Sequence, residues 1–335
     1  SLKAAVQRIA KVALFALIGV GLAAFWLLPV FSALLESKAS AGSTFAWSWN
    51  SVNDLVAMPQ KFILGSFGEK EWGDSKALPQ LFIGGLGLFG LCTFFAKKEI
   101  TIRKKLAATV VLLALLLSFS IQGFDQIWHM GQRPVGFYFR NSWVANSFML
   151  VLASESLMQW KDEFRLNEFL VAIFGFGSIL ILSTLRSLQY VETSQKILAF
   201  IIWVGIVLIF FLSNAEINRR LQLATGTVIF EMMMSTFVGF KRVPYFIDNY
   251  GLKEQMEYAI VFEKEGYSNK DIFTRMEIHK GLLYANFPIA FGYNGASHFT
   301  SSLEHALIEE MSHLGLPTSQ SVTNYTDRNV ILDSL

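Results

Sequence analysis

The chain has 335 residues, 53% of them hydrophobic and only 16% charged, with a mean hydropathy of +0.43. Soluble globules carry about 25% charged residues, so the composition excludes a disordered regulator, a disulfide scaffold and an ordinary soluble enzyme. A net charge of +2 is too balanced for a nucleic-acid binder, and a single cysteine, Cys92, cannot form an internal disulfide. An integral membrane protein remains.

A spanning helix needs about 20 largely apolar residues to cross about 30 Å of hydrocarbon. Seven runs qualify as candidates, at 12–35, 81–96, 106–121, 142–158, 169–185, 197–212 and 221–238. The sixth, ILAFIIWVGIVLIFFL, carries no charge, whereas the fourth holds Glu155 and the seventh Glu231. Basic residues orient such a bundle. Lys3, Arg8, Lys11, Lys97, Lys98, Arg103, Lys104, Lys105, Lys161, Arg165, Arg219 and Arg220 crowd one set of short connections. The opposite, longer connections (36–80, 122–140 and 186–196) are sparser in Lys and Arg. The first set is therefore expected in the cytoplasm, and everything after Gly239 outside it.

The expected fold class is mostly α: a polytopic membrane helix bundle over 1–239, followed by an extracytoplasmic α/β module over 240–335. In the module, GLKEQMEYAIVFEKEG and SSLEHALIEEMSHLG read as amphipathic helices, the second closed by Gly315. DIFTRMEI reads as a strand. The long connection 36–80 is too extended for a simple turn. Its VNDLVAMPQKFILGSFG segment suits either an interfacial helix anchored by Trp47, Trp49 and Trp72 or a packed cap over the bundle.

The connection SIQGFDQIWHMGQRPVGFYFRNSW, at 120–143, is the richest in chemistry. It combines Asp125, His129, Arg133 and Arg140 with six aromatics, among them Trp128 and Tyr138. Guanidinium donates two hydrogen bonds in a planar fork that matches phosphate, and aromatic rings stack on sugar faces. The pattern points to a site for a lipid-linked phosphate beside a saccharide. An interfacial belt of anchoring aromatics and snorkelling arginines has the same composition.

Glu231 falls within an apolar run, where an ionised carboxylate is costly. It reads as a proton relay, as a partner for an active-site Arg, or as a structural hydrogen bond between helices. His305, Glu309 and His313 share a helical face by spacing, but flanking Glu304 and Glu310 mark that face as solvated, so no metal site and no cofactor is expected. No glycine-rich phosphate loop, HExxH or nucleophile elbow is present.

Three stretches, DQIWHMGQRPVGFYFRNSW, FEMMMSTF and IFTRMEIHKGLLYANFPIAFGYNGASHFTSSLEHALIEEMSHLGL, resemble the bacterial YfhO membrane proteins. The shared positions are Trp128, His129, Pro134, Tyr138, Arg140 and Ser142, then Glu231, then Arg275, Glu277, Asn286, Pro288 and the segment from Gly292 to Ser301. Asp125 departs from the family's Asn. The resemblance covers essentially the whole chain and implies a GT-C-type glycosyltransferase. Such an enzyme takes a sugar such as N-acetylglucosamine from an undecaprenyl-phosphate donor. It passes the sugar to lipoteichoic acid or a similar polymer outside the bacterial cytoplasmic membrane.

The resemblance also implies substrate-binding roles for Asp125, Trp128, His129, Arg133, Tyr138, Arg140 and Glu231. The chain is expected to be the later part of a longer protein, with the general base upstream of Ser1 and Asp125 as the candidate within it. Expected partners are membrane lipids, the donor, the acceptor polymer and the cytoplasmic-side enzyme that makes the donor. The rival classes are a flippase of a lipid-linked sugar, using Glu231 as a relay, and a non-catalytic membrane scaffold.

Overall fold

A computed structural model describes residues 2–36, 47–67, 71, 77–129, 138–160, 165–185, 191–212, 216–242, 298–299, 305–313 and 322–323. The chain divides into two compact units, one of 45–246 and one of 1–44 with 247–335.

Helices dominate the first unit: α2 (Gly84–Ala96), α3 (Ile102–Ser118), α4 (Gln122–Trp128), α5 (Trp143–Met158), α6 (Leu166–Leu185), α7 (Thr193–Val207) and α8 (Ile217–Arg242). A π-helical turn, Leu208–Leu212, prolongs α7. The second unit contains α1 (Leu2–Glu36), the short strands β1 (His298–Phe299) and β2 (Val322–Thr323), which pair antiparallel, and α9 (His305–His313). Each of the seven apolar runs thus contains a helix. Among the described residues, four helices are long and apolar enough to cross a membrane: those over Val6–Ser32, Leu166–Leu185, Thr193–Phe211 and Asn218–Lys241. At about 1.5 Å per residue, the 13-residue α2 covers only about 20 Å. The amphipathic segment at 251–266 and the expected strand DIFTRMEI lie outside the described residues, whereas α9 coincides with the second expected amphipathic helix.

The centre of the first unit is α2, and its glycines explain how it gets there. Without aqueous solvent between spans, helices associate through close packing and interhelical hydrogen bonds, so small residues line their contacts. A Cβ at Gly90 would lie 2.8 Å from the Ala153 carbonyl oxygen, and one at Gly87 would lie 3.2 Å from Leu150. One turn further, Thr93 Oγ1 and Ser156 Oγ share a buried hydrogen bond of 2.9 Å. These contacts advance together along both chains, so α2 and α5 run parallel. On its other sides α2 meets α6 and the prolonged α7 through Phe89, Phe176, Trp203 and Phe210, with Phe176 stacked on Trp203 at 4.7 Å. It meets α8 at Gly85, whose N–H donates to Glu231.

At the end of α2 that carries the basic connections, Lys97 is buried. Its Nζ donates to the Gln159 carbonyl at 3.1 Å, lies 3.7 Å from Glu168 and sits 4.8 Å over the Trp160 ring. Arg165 bridges Glu99 at 2.7 Å and Glu168 at 3.4 Å. These contacts join the ends of α2, α5 and α6.

The described part of the connection before α2 forms a packed cap. It holds a 3-10 turn, Met58–Phe62, begun by Pro59, and Val52, Ala57, Met58, Ile63 and Leu64 are buried. The interfacial-helix alternative therefore gives way to a cap. Val52 N–H donates to the Ser120 carbonyl and Gln122 N–H to the Asn50 carbonyl, tying the cap to the segment between α3 and α4. From α7, Gln195 Nε2 reaches back to the carbonyls of Leu64 at 2.9 Å and Gly65 at 2.7 Å. Gly65 has a φ of +62°, and a Cβ there would lie 2.6 Å from Val238, so glycine is required.

Candidate functional site

Two groups of side chains emerge from the segment around 120–146. The first gathers at the C-terminal end of α4. Asp125 is buried at 1% exposure, and the His129 ring lies beside it, with Nδ1 2.8 Å from the Asp125 carbonyl oxygen and 3.7 Å from its carboxylate. His129 Nε2 is buried without a hydrogen-bond partner among the described residues. Trp128 turns the other way: its indole N–H donates to Ser118 Oγ at 2.9 Å and its ring packs against Phe119. The ring expected to stack on sugar therefore helps fasten α4 to the end of α3. Arg133 lies outside the described residues.

The second group surrounds a cavity of about 330 Å³. Tyr138, Phe139 and Arg140 all line it in sequence, followed by Ser142, Trp143 and Asn146 from the start of α5. Three successive residues meet one cavity because the chain kinks there. Phe139 holds a left-handed φ of +57° while 2% exposed, a conformation that costs a non-glycine residue about 1–2 kcal/mol. Burial of the ring offsets that strain, and such strain recurs at functional sites.

The rest of the lining comes from the cap, with Phe67, Glu71, Ala77, Leu78 and Gln80. Glu71 is held from behind. Lys61 Nζ meets Glu71 Oε1 at 2.5 Å and donates to the Ser66 carbonyl at 2.6 Å, while Gln80 Nε2 donates to Glu71 Oε2 at 3.2 Å. Burial pushes the Lys61 ammonium down to about 8, and Glu71 pulls the other way. Across the wall, Asn146 Nδ2 donates to the Gln80 carbonyl at 3.0 Å, and its Oδ1 is buried without a partner among the described residues.

Tyr138 and Arg140 therefore share the cavity, while Asp125, Trp128, His129 and Glu231 are not among its lining residues. Sequence reasoning missed Glu71, Gln80 and Asn146. Glu71 sits in the mixed-charge stretch GEKEWGDSK, which has the look of a solvated loop. Its ion pair with a lysine ten residues earlier helps to remove it from water.

Glu231 has a different environment. Its carboxylate accepts the Gly85 N–H at 2.7 Å, at the start of α2. The first N–H groups of a helix have no intrahelical partner, and hydrocarbon offers none. A carboxylate there satisfies one donor and complements the positive end of the helix dipole. Gly84, at φ +75°, and Gly85, where a Cβ would lie 3.0 Å from Ile206 and 3.4 Å from Glu231, make room for it.

Among the described residues no three His, Cys, Asp or Glu side chains are grouped so as to hold a metal ion. In α9, Glu309 and His313 are exposed.

No curated protein and no solved structure matches the chain. A family model does match, described as bacterial membrane protein YfhO, and it spans residues 1–335. With its apolar helices and that match over its whole length, the chain is a membrane protein and belongs to the YfhO family.

Proposed function

We propose that this chain is part of an extracytoplasmic glycosyltransferase of the bacterial cytoplasmic membrane. It would move a hexose such as N-acetylglucosamine from a polyprenyl-phosphate donor to a cell-envelope polymer such as lipoteichoic acid. The observation that carries this reading is the cavity that joins Arg140 and Tyr138 to a buried carboxylate. A sugar phosphoester needs a cation where charge grows on the departing phosphate, a ring face for stacking and acceptors for hydroxyls. Arg140 supplies the first. An acceptor hydroxyl bonds to the anomeric carbon and gives its proton to a general base, while the electron pair of the broken glycosidic bond leaves on the phosphate oxygen. The guanidinium lowers the energy of that state. Tyr138 and Trp143 supply aromatic faces.

Asp125 and His129 pack together on α4, and the C-terminal module presents the acceptor polymer. The capping bond to Gly85 favours a packing role for Glu231 over the relay that a flippase would need.

The test uses the full-length protein in liposomes with radiolabelled undecaprenyl-phosphate N-acetylglucosamine and lipoteichoic acid. Wild type should label the polymer, and Arg140→Ala should lower the rate about a hundredfold or more while its melting temperature in detergent stays unchanged. Full activity in Arg140→Ala would remove the phosphate role. Label that crosses the bilayer without reaching polymer would replace the transferase with a flippase.

A further inference from the structure

The cavity has two chemically different walls, and only one is accounted for by the phosphate. Arg140 is a donor with no acceptor capacity. Glu71 and Asn146, which line the same cavity, carry acceptor oxygens. Glu71 keeps its place because a buried ammonium and an amide hold its two oxygens from the cap side. A buried charge is tolerated only when it is paired and hydrogen-bonded, and Lys61 and Gln80 meet that condition. Asn146 is fixed by its own donation to the Gln80 carbonyl, which leaves Oδ1 as a buried acceptor unpaired among the described residues. A buried acceptor left unpaired is costly, so a ligand that donates to it binds more tightly, by about tenfold or more, than one that does not. Neither acceptor helps to hold a phosphate, since both repel its oxygens.

We propose that Glu71 and Asn146 form a sugar subsite. They accept hydrogen bonds from the hydroxyl groups of a single monosaccharide whose phosphoester oxygens meet Arg140, and so select the glycosylated lipid phosphate over the bare one. A volume of about 330 Å³ lies at the lower end of the range for small-molecule pockets, about 300–1,000 Å³, and accommodates one ring rather than an oligosaccharide. Apolar Leu78 and aromatic Tyr138 line the remaining faces, as a ring with one apolar side requires. Lys61 and Gln80 are positioning residues that act through Glu71. This subsite rests on the phosphate role of Arg140 in the proposed function, but not on whether transfer occurs.

The experiment measures binding by the full-length protein in detergent, with a short-chain polyprenyl phosphate bearing N-acetylglucosamine as one ligand and the same polyprenyl phosphate without sugar as the other. Tryptophan fluorescence reports both, since Trp143 lines the cavity. Wild type should prefer the glycosylated ligand at least about tenfold, the size expected when a site's buried polar groups lose their partners. Glu71→Gln and Asn146→Ala should each bring the ratio close to one while leaving the Kd for the bare phosphate within about twofold. Arg140→Ala should weaken both ligands alike. A purely structural role for Glu71 would weaken both ligands together and leave the ratio intact, and that result overturns the subsite. No preference in wild type overturns it as well. Should Glu71→Gln fail to fold, Asn146→Ala and Glu71→Asp decide the matter by the same ratio. Preference without any transfer to polymer would leave the subsite standing and remove the transferase. Transfer with the ratio untouched in both variants would do the reverse.

Discussion

Lys61–Glu71 and Lys97–Glu168 are both lysine–glutamate pairs with almost no solvent exposure, yet they sit in opposite surroundings. Lys97 is enclosed by a backbone carbonyl, an indole ring and the Arg165 network, and Glu168 is shared with Arg165. Neither residue is among those that line the cavity. Glu71 is tied at 2.5 Å to its lysine, and its residue lines the same cavity as Arg140. A buried ion pair is therefore not by itself a mark of a site, because desolvation cancels much of its attraction and it serves well as a joint between helices. The cavity beside it makes the difference.

Three changes would break or sharpen that comparison. The largest effect should come from removing either buried cation. Lys61→Ala and Lys97→Ala each leave a buried carboxylate uncompensated, which costs about 3–5 kcal/mol. Both should lower the melting temperature in detergent, but only Lys61→Ala should also erase the preference for the glycosylated ligand. Equal loss of preference in both would dissolve the distinction.

A comparable effect is expected from pH. The folded Lys61 titrates near 8 and the unfolded side chain at 10.5. Between those values the unfolded chain binds more protons, so this group's contribution raises stability as pH climbs from about 8 toward 10.5 and is absent below about 8. The span is on the order of 3 kcal/mol. Thermal melts of wild type against Lys61→Met from pH 7 to 10.5 isolate it, and parallel curves over that window would contradict it. Burial lowers Lys97 too, against the pull of Glu168, so Lys97→Met should show a slope of the same sign.

The smallest effect belongs to Lys104–Glu155, also 2.5 Å apart but with the lysine half exposed. Exposed pairs contribute about 0–1 kcal/mol, so Lys104→Ala should barely move the melting temperature or the binding ratio. A loss like that of Lys97→Ala would show that exposure is a poor guide in this bundle.

The apolar runs were readable because helix placement depends on local information. A stretch such as ILAFIIWVGIVLIFFL has one favourable disposition in a bilayer, with every backbone group bonded internally, and α7 with its π-turn lies over it. Readable for the same reason was the amphipathic helix at His305–His313. Boundaries shifted where tertiary contacts intervened: the run at 81–96 begins its helix only at Gly84, where Glu231 from α8 caps it. In the site, Arg140 and Tyr138 stood out as a guanidinium and an aromatic in one segment. Trp128 stood out equally, and its indole N–H is bonded to Ser118 on the preceding helix, a contact that sequence spacing does not reveal.

Composition and hydrophobic runs by themselves determined that this is a membrane protein, where its helices fall and that 120–143 carries its densest chemistry, since each depends on transfer of local segments into hydrocarbon. Family-specific residues along the whole length determined its kinship. The tertiary structure alone decided that Glu71 and Asn146 line one cavity with Arg140, that Glu231 caps a helix and that one of two similar lysine–glutamate pairs borders that cavity. Those facts depend on side chains meeting across long sequence separations, and a buried charge goes wherever the folded chain brings it a partner.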